Sequence, residues 1–117
     1  MKKLLVIFLL ALSGCDSSSS HNVALQVTGT GTVSIANIIY EVGNSGWVGA
    51  GPGWISLPWN LTTSLQHGPV SLNAVTDSGT SISGSLTVTI LIDGAVWKTA
   101  TVNTTGEQEV ASTSGIL

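Results

Sequence analysis

The only cysteine of the chain, Cys15, stands where its thiol could take part in a covalent reaction. It follows a basic start, an apolar run from Leu4 to Leu12, and the small residues Ser13 and Gly14. This order is typical of a signal peptide for export. The apolar run is too short for a stable transmembrane helix, which needs about 20 residues. Residues 1–14 are therefore predicted to form a signal peptide.

The sequence Leu12-Ser13-Gly14-Cys15 resembles the bacterial lipobox, in which the cysteine is acylated and begins the mature protein. A thiolate is the nucleophile that takes the lipid, and several acyl chains hold a protein stably on a bilayer. We expect a lipoprotein with palmitate-type lipidation at Cys15 and a short flexible tether over residues 15–21. A plain signal peptide with an incidental cysteine is the alternative. Asp16 resembles the inner-membrane retention signal of enteric bacteria, and the choice between inner and outer membrane stays open.

The charge balance limits the partners of the chain. It has 3 lysines and arginines against 6 aspartates and glutamates. Two of the cations lie in the predicted signal peptide, so Lys98 would be the only side-chain cation of the mature protein. Such a surface cannot neutralise many phosphates, and nucleic acid is not an expected partner. The membrane, through the lipid on Cys15, and a protein of the cell envelope such as a transporter are the expected partners.

Candidate catalytic and metal-binding residues do not form a recognised pattern. His21 and His67 are far apart in sequence and are predicted to be ordinary surface residues. No Gly-x-Ser-x-Gly motif places a serine nucleophile on a strained turn, so the protein is not predicted to be an enzyme. Four acids could bind calcium only if loops bring them together: Asp77, Asp93, Glu107 and Glu109. No metal and no cofactor is predicted.

Alternation of apolar and polar residues predicts one all-β domain over residues 22–117. The predicted strands are Val23–Val27, Thr32–Val42, Trp54–Leu57, Leu61–Leu65, Val70–Ala74, Leu86–Ile92, Ala95–Asn103 and Glu107–Thr113. Asn44–Gly53 is predicted to be a glycine-rich loop, and Asp93-Gly94 matches a type I′ hairpin turn. Seven or eight strands in this length predict an immunoglobulin-like two-sheet β-sandwich, and a small closed barrel is the alternative. The core is expected to combine the alternating aliphatic residues with one or more tryptophans.

Trp47, Trp54 and Trp59 lie close together around the glycine-rich loop and form a candidate binding surface. Aromatic faces stack on sugar rings, and tryptophan is enriched at binding hot spots. The alternative is core packing, which we expect for Trp59 because it follows a proline at a strand end. For Trp47 the sequence is equally compatible with exposure and burial. Trp97, beside a hairpin turn, is predicted to be half-buried.

Several strings along residues 23–117 resemble the MmpS-type domain, named for small mycobacterial membrane proteins. They are Val27-Thr28-Gly29-Thr30-Gly31, Val33, Ile35, Tyr40, Leu57-Pro58-Trp59, Val70-Ser71-Leu72-Asn73-Ala74 and Val88-Thr89-Ile90-Leu91-Ile92-Asp93-Gly94. The resemblance implies a β-sandwich and an accessory role in the envelope. The mycobacterial members act beside exporters of the resistance-nodulation-division type, which move lipids and siderophores. Those members resemble single-span membrane proteins, whereas this chain has a lipobox.

Two functions from different classes follow. The first is a lipid-anchored, non-catalytic accessory module that contacts an envelope assembly, with its domain outside the cytoplasm. The second is a glycan- or cell-wall-binding module that uses the three clustered tryptophans. A small inhibitor of a hydrolase is a third hypothesis that the sequence does not separate from the first.

Overall fold

The computed structural model describes residues 20–50 and 55–117, which form an all-β domain with no helix among them. Its eight strands are β1 (His21–Gly29), β2 (Ile35–Val42), β3 (Val48–Gly49), β4 (Trp59–Leu65), β5 (Pro69–Thr76), β6 (Gly84–Ile92), β7 (Ala95–Thr104) and β8 (Val110–Ile116). Accordingly, this part of the chain holds no helix that could cross a membrane. The predicted signal peptide and Cys15 lie outside the described residues.

The strands form two antiparallel sheets of four strands each. The first sheet has the order β4-β1-β6-β7 and the second the order β3-β2-β5-β8. The predicted two-sheet β-sandwich is confirmed, and the alternative of one closed barrel is wrong because the strands divide into two separate sheets. The chain crosses between the sheets after most strands, and only β2–β3 and β6–β7 are hairpins within one sheet.

The core lies between the inner faces of the two sheets, where the aliphatic residues of the alternating pattern meet. From the first sheet it takes Val23, Leu25, Val27, Leu86, Val88 and Ile90, and from the second Ile35, Ile38, Val70, Leu72, Ala74 and Ala111. Burying each of the larger side chains contributes about 1.5–3 kcal/mol. No described tryptophan belongs to the fully buried core, although Trp59 and Trp97 pack against it from partly buried positions.

The β6–β7 hairpin has the type I′ turn that the sequence Asp93-Gly94 predicts. Asp93 has φ 52° and Gly94 has φ 85°, and a type I′ turn needs positive φ at both central residues. The Asp93 carboxylate also accepts the backbone N–H of Asn22 at 2.8 Å. This turn therefore holds the beginning of β1 as well as joining β6 to β7.

Several predicted strand limits are wrong. Of the strand predicted over Trp54–Leu57, Trp54 lies outside the described residues, residues 55–58 lie outside the strands, and β4 begins at Trp59. Pro58 has no N–H for the ladder, so pairing starts immediately after it. The loop predicted over Asn44–Gly53 contains the two-residue strand β3. The last strand begins at Val110 rather than Glu107, because the Glu107 carbonyl accepts the Thr104 hydroxyl in a turn.

Candidate functional site

The sandwich has two lateral sides, and one of them is open. On the open side β3 ends the second sheet and β4 ends the first. Between them lies a cleft of about 330 Å³. Its lining residues come from β2, the β2–β3 connection, β3 and β4: Tyr40, Val42, Ser45, Val48, Leu61, Thr62, Thr63 and Ser64. The cleft is within the usual size range of small-ligand sites.

Strand register explains why the cleft reaches between the two sheets. Tyr40 lies opposite the buried Leu72 in the second sheet, and Thr63 lies opposite the buried Val23 in the first. Both side chains are therefore on inner faces, yet Thr63 is exposed. An inner-facing residue is exposed here because β3 is only two residues long and covers little of the gap.

Tyr40 and Trp59 form an aromatic pair at the cleft. Their ring centroids are 5.8 Å apart and the rings are inclined at 43°, a geometry typical of favourable aromatic contacts. Trp59 is partly buried and lies opposite the buried Val27, so it packs on the core, as expected. It supports Tyr40 and does not itself line the cleft.

Of the three tryptophans predicted to form a binding surface, the structure describes Trp47 and Trp59, and they differ in exposure. Trp47 is 57% exposed and directly precedes Val48, a cleft-lining residue that is 44% exposed. Trp59 packs on the core instead. Trp54 lies outside the described residues. Tyr40 lines the cleft, but the sequence did not indicate it as a candidate binding residue. Its position in β2 is that of an ordinary strand residue.

The cleft lining is suited to binding neutral polar groups. Five hydroxyl-bearing residues, Tyr40, Ser45, Thr62, Thr63 and Ser64, line it beside three aliphatic residues. Strand register places the Thr63 side chain on the inner face and those of Thr62 and Ser64 on the outer face of the first sheet. Each hydroxyl can donate one hydrogen bond and accept others. Tyrosine is the only ionisable residue among the eight that line the cleft, so the lining favours hydrogen bonding and apolar contact over acid–base chemistry.

The other lateral side is closed by a bulge in β7. Lys98 lies opposite Ile90 and Val96 opposite Leu91, so Trp97 is an extra residue without a partner on β6. A bulge re-aims the side chains around it. Here the Trp97 ring lies over Gly115 of β8, where an added Cβ would be only 2.5 Å from the ring atom Cη2. Trp97 is half-buried as predicted, and the Lys98 ammonium lies 5.4 Å from its ring centroid.

His21 and Asp93 form a side-chain hydrogen bond that the sequence did not suggest. Nδ1 of His21 lies 2.7 Å from Oδ2 of Asp93, although 72 positions separate the two residues. The hydrogen bond from His21, followed by the one from the Asn22 N–H, lowers the pKa of Asp93 below its ordinary value. The pair joins the start of β1 to the β6–β7 turn.

The described residues contain no group of three or more histidines, cysteines and acids placed to hold a metal ion. Of the four acids considered for calcium, Asp93 is engaged by His21, and Asp77 accepts the Ser34 hydroxyl at 2.8 Å. These two carboxylates therefore serve local contacts.

Comparisons with known proteins do not supply a family. No protein-family model matches the chain. A comparison with curated proteins finds no significant match either.

Proposed function

We propose that this protein is a lipid-anchored protein of the bacterial cell envelope whose β-sandwich is a non-catalytic interaction module. The observation that supports this most is the open lateral side, where a cleft of about 330 Å³ adjoins the free edge of β4. A partner there could pair with the β4 backbone and place side chains in the cleft. Membrane attachment through Cys15 rests on the lipobox-like sequence.

A comparison of the four sheet edges supports β4 as the contact edge. Proteins protect free edges with charges, bulges, prolines or very short strands. β3 has two residues, β7 carries Lys98 and a bulge, and β8 lies beneath Trp97. β4 is seven residues long, pairs with β1 in unbroken register, and contains neither a charged residue nor a proline. Such an edge is suited to the addition of a partner strand.

The nature of the partner follows from the resemblance to the MmpS-type domain. That resemblance favours an exporter of the resistance-nodulation-division type, to which this protein would be an accessory subunit. The cleft lining is uncharged, so the segment bound there should also be largely uncharged and should alternate apolar and polar residues along an extended strand.

A cleft-filling variant tests the proposal. Thr63→Tyr places a ring on the inner face at the mouth of the cleft, and Thr101→Tyr adds the same ring to the exposed surface of β7. Both variants should melt close to the wild-type temperature. After chemical crosslinking of membranes from the native bacterium, Thr63→Tyr should recover several-fold less of a discrete partner than either control. Equal recovery by all three proteins would contradict the proposal, and mass spectrometry of the captured partner would show whether it is an exporter.

Glycan binding is the second candidate, favoured by the exposed Trp47 beside a hydroxyl-lined cleft. An exposed indole can stack on a sugar ring while hydroxyls bind its polar groups. Trp47→Ala and Trp54→Ala should then reduce binding to purified peptidoglycan, whereas Val110→Ala, at another exposed apolar residue, should not. Binding that is absent, or indifferent to both tryptophans, would eliminate this candidate.

A further inference from the structure

The chain enters the sandwich at a fixed point. Asp93 accepts the Asn22 N–H at 2.8 Å and contacts His21 at 2.7 Å, and the Asp93 N–H donates to the Asn22 carbonyl at 2.9 Å. These contacts hold the first residues of β1 against the β6–β7 turn. The end of the sandwich that contains this turn is called the entry end below.

The entry end is close to Cys15 in the chain. Six peptide steps separate Cys15 from His21, and a fully extended chain spans about 3.3–3.6 Å for each residue. If Cys15 carries its acyl chains, His21 can lie no more than about 20 Å from the lipid headgroups. With that anchor, the entry end would be the part of the domain tied most closely to the membrane.

The most exposed apolar residues of the domain are at this end. Ile116 is 77% exposed and Val96 is 64% exposed, the two largest values among the large hydrophobic residues that the structure describes. Ile116 lies opposite Pro69 at the end of β8, and Val96 lies opposite Leu91, two residues before the turn. The next residues inward, Gly115 and Trp97, are in contact across the corner between β8 and β7.

The residues between these two aliphatic side chains have the character of a membrane-interface contact. Trp97 is half-buried, and its amphipathic ring type is enriched at headgroup level in membrane proteins. Lys98, the only lysine or arginine in residues 20–117, lies exposed beside it. Asp93, the carboxylate at the β6–β7 turn, is hydrogen-bonded to His21. Val96, Trp97, Lys98 and Ile116 are called the corner patch below.

We propose that the corner patch rests in the headgroup layer of the membrane that holds the acyl chains on Cys15. This proposal rests on the lipid anchoring proposed above and goes beyond it, because an anchored domain could equally stand free of the bilayer on its tether. Val96 and Ile116 contact the upper acyl region, while the Lys98 ammonium faces lipid phosphates. The contact fixes the orientation of the domain, with the turn at Asp93-Gly94 towards the bilayer and the far end of β8 away from it.

Fluorescent labels that respond to lipid-borne quenchers test this orientation. The lipidated full-length protein is purified from bacterial membranes with a single added cysteine, Val96→Cys, Ile116→Cys or Val110→Cys, labelled and reconstituted in phosphatidylcholine vesicles. Val110 is the matched control because it is an exposed aliphatic residue on β8, about 20 Å from Ile116 along the strand. Quenching by headgroup-level nitroxide lipids should be several-fold stronger at positions 96 and 116 than at position 110.

Flotation of the same vesicles separates the two proposals. If the protein floats with the vesicles and all three labels are quenched equally or not at all, the orientation proposal is overturned and lipid anchoring stands. If the wild-type protein does not float, or a Cys15→Ser variant floats equally well, anchoring by Cys15 is overturned, and the orientation proposal with it. Stronger quenching at 96 and 116 that is lost in Cys15→Ser supports both.

Discussion

The two lateral sides of this sandwich are both formed by antiparallel edge strands, but one side is closed and the other is open. At the β7–β8 side the Trp97 ring covers Gly115, and the carbonyl of Glu107 in the connecting turn accepts the buried hydroxyls of Thr76 and Thr104. At the β3–β4 side a two-residue strand leaves an inner-facing threonine, Thr63, open to solvent. One side is closed by side-chain packing and hydrogen bonds, whereas the other retains a cleft and a free backbone edge.

This difference shows how a small domain can leave a cleft open at one side without weakening its core. The core residues of both sheets are fully or almost fully buried, and the cleft begins only beyond them. Stability should therefore depend strongly on residues of the closed side and weakly on residues of the open side. Binding should show the opposite dependence.

The largest effect is expected from adding a side chain to Gly115 on the closed side. A Cβ there would lie 2.5 Å from Cη2 and 2.9 Å from Cζ2 of Trp97, so Gly115→Val must displace the ring or the strand. Overpacking of this kind costs about 3 kcal/mol at its upper range. Urea denaturation should show this loss, and Ser114→Val on the exposed neighbour should change the free energy of unfolding by less than about 0.5 kcal/mol.

A smaller loss is expected when the buried hydroxyl of Thr76 is removed. Thr76 is fully buried, and its Oγ1 accepts the Glu109 N–H at 2.8 Å. Thr76→Val keeps the shape but leaves this donor unpaired, which costs about 2 kcal/mol. The matched control is Thr101→Val on the exposed surface of β7, and equal destabilisation by the two variants would contradict the role given to Thr76.

On the open side the same substitution should have almost no effect on stability. Thr63→Val replaces a hydroxyl that is inner-facing but exposed, so no buried donor or acceptor loses a partner. The free energy of unfolding should change by less than about 0.5 kcal/mol. If Thr63→Val lowered the free energy of unfolding as much as Thr76→Val does, Thr63 would be buried in solution. That result would contradict the existence of the cleft.

The smallest effect concerns the entry end at low pH. Because its pKa is lowered in the folded state by His21 and Asn22, the Asp93 carboxylate stabilises the fold above its ordinary pKa of 3.8. This contribution is lost as pH falls through the lower folded value. Melting temperatures of wild type and Asp93→Asn should therefore differ at neutral pH, begin to approach each other as pH falls below about 3.8, and converge below the lowered pKa of the folded state. A constant difference across this range would contradict the assignment.

Local patterns were sufficient to predict most strands but not the site. Alternation located β1, β5 and β6, and Asp93-Gly94 gave the hairpin turn, because these signals depend on neighbouring residues. The cleft forms because Tyr40 in one sheet lies across from residues of β4 in the other sheet. No short sequence pattern predicts which edges of two sheets lie side by side. His21 and Asp93 likewise meet only through the order of β1 and β6.

Site-specific photocrosslinking in the living bacterium tests the central claim most directly. A photoreactive amino acid is introduced at Thr62 on the free edge of β4 or at Thr101 on β7, both exposed threonines on edge strands of the same sheet. The open-side account predicts a discrete crosslinked partner from position 62 and little or none from position 101. A partner captured from position 101 and not from position 62 would contradict it.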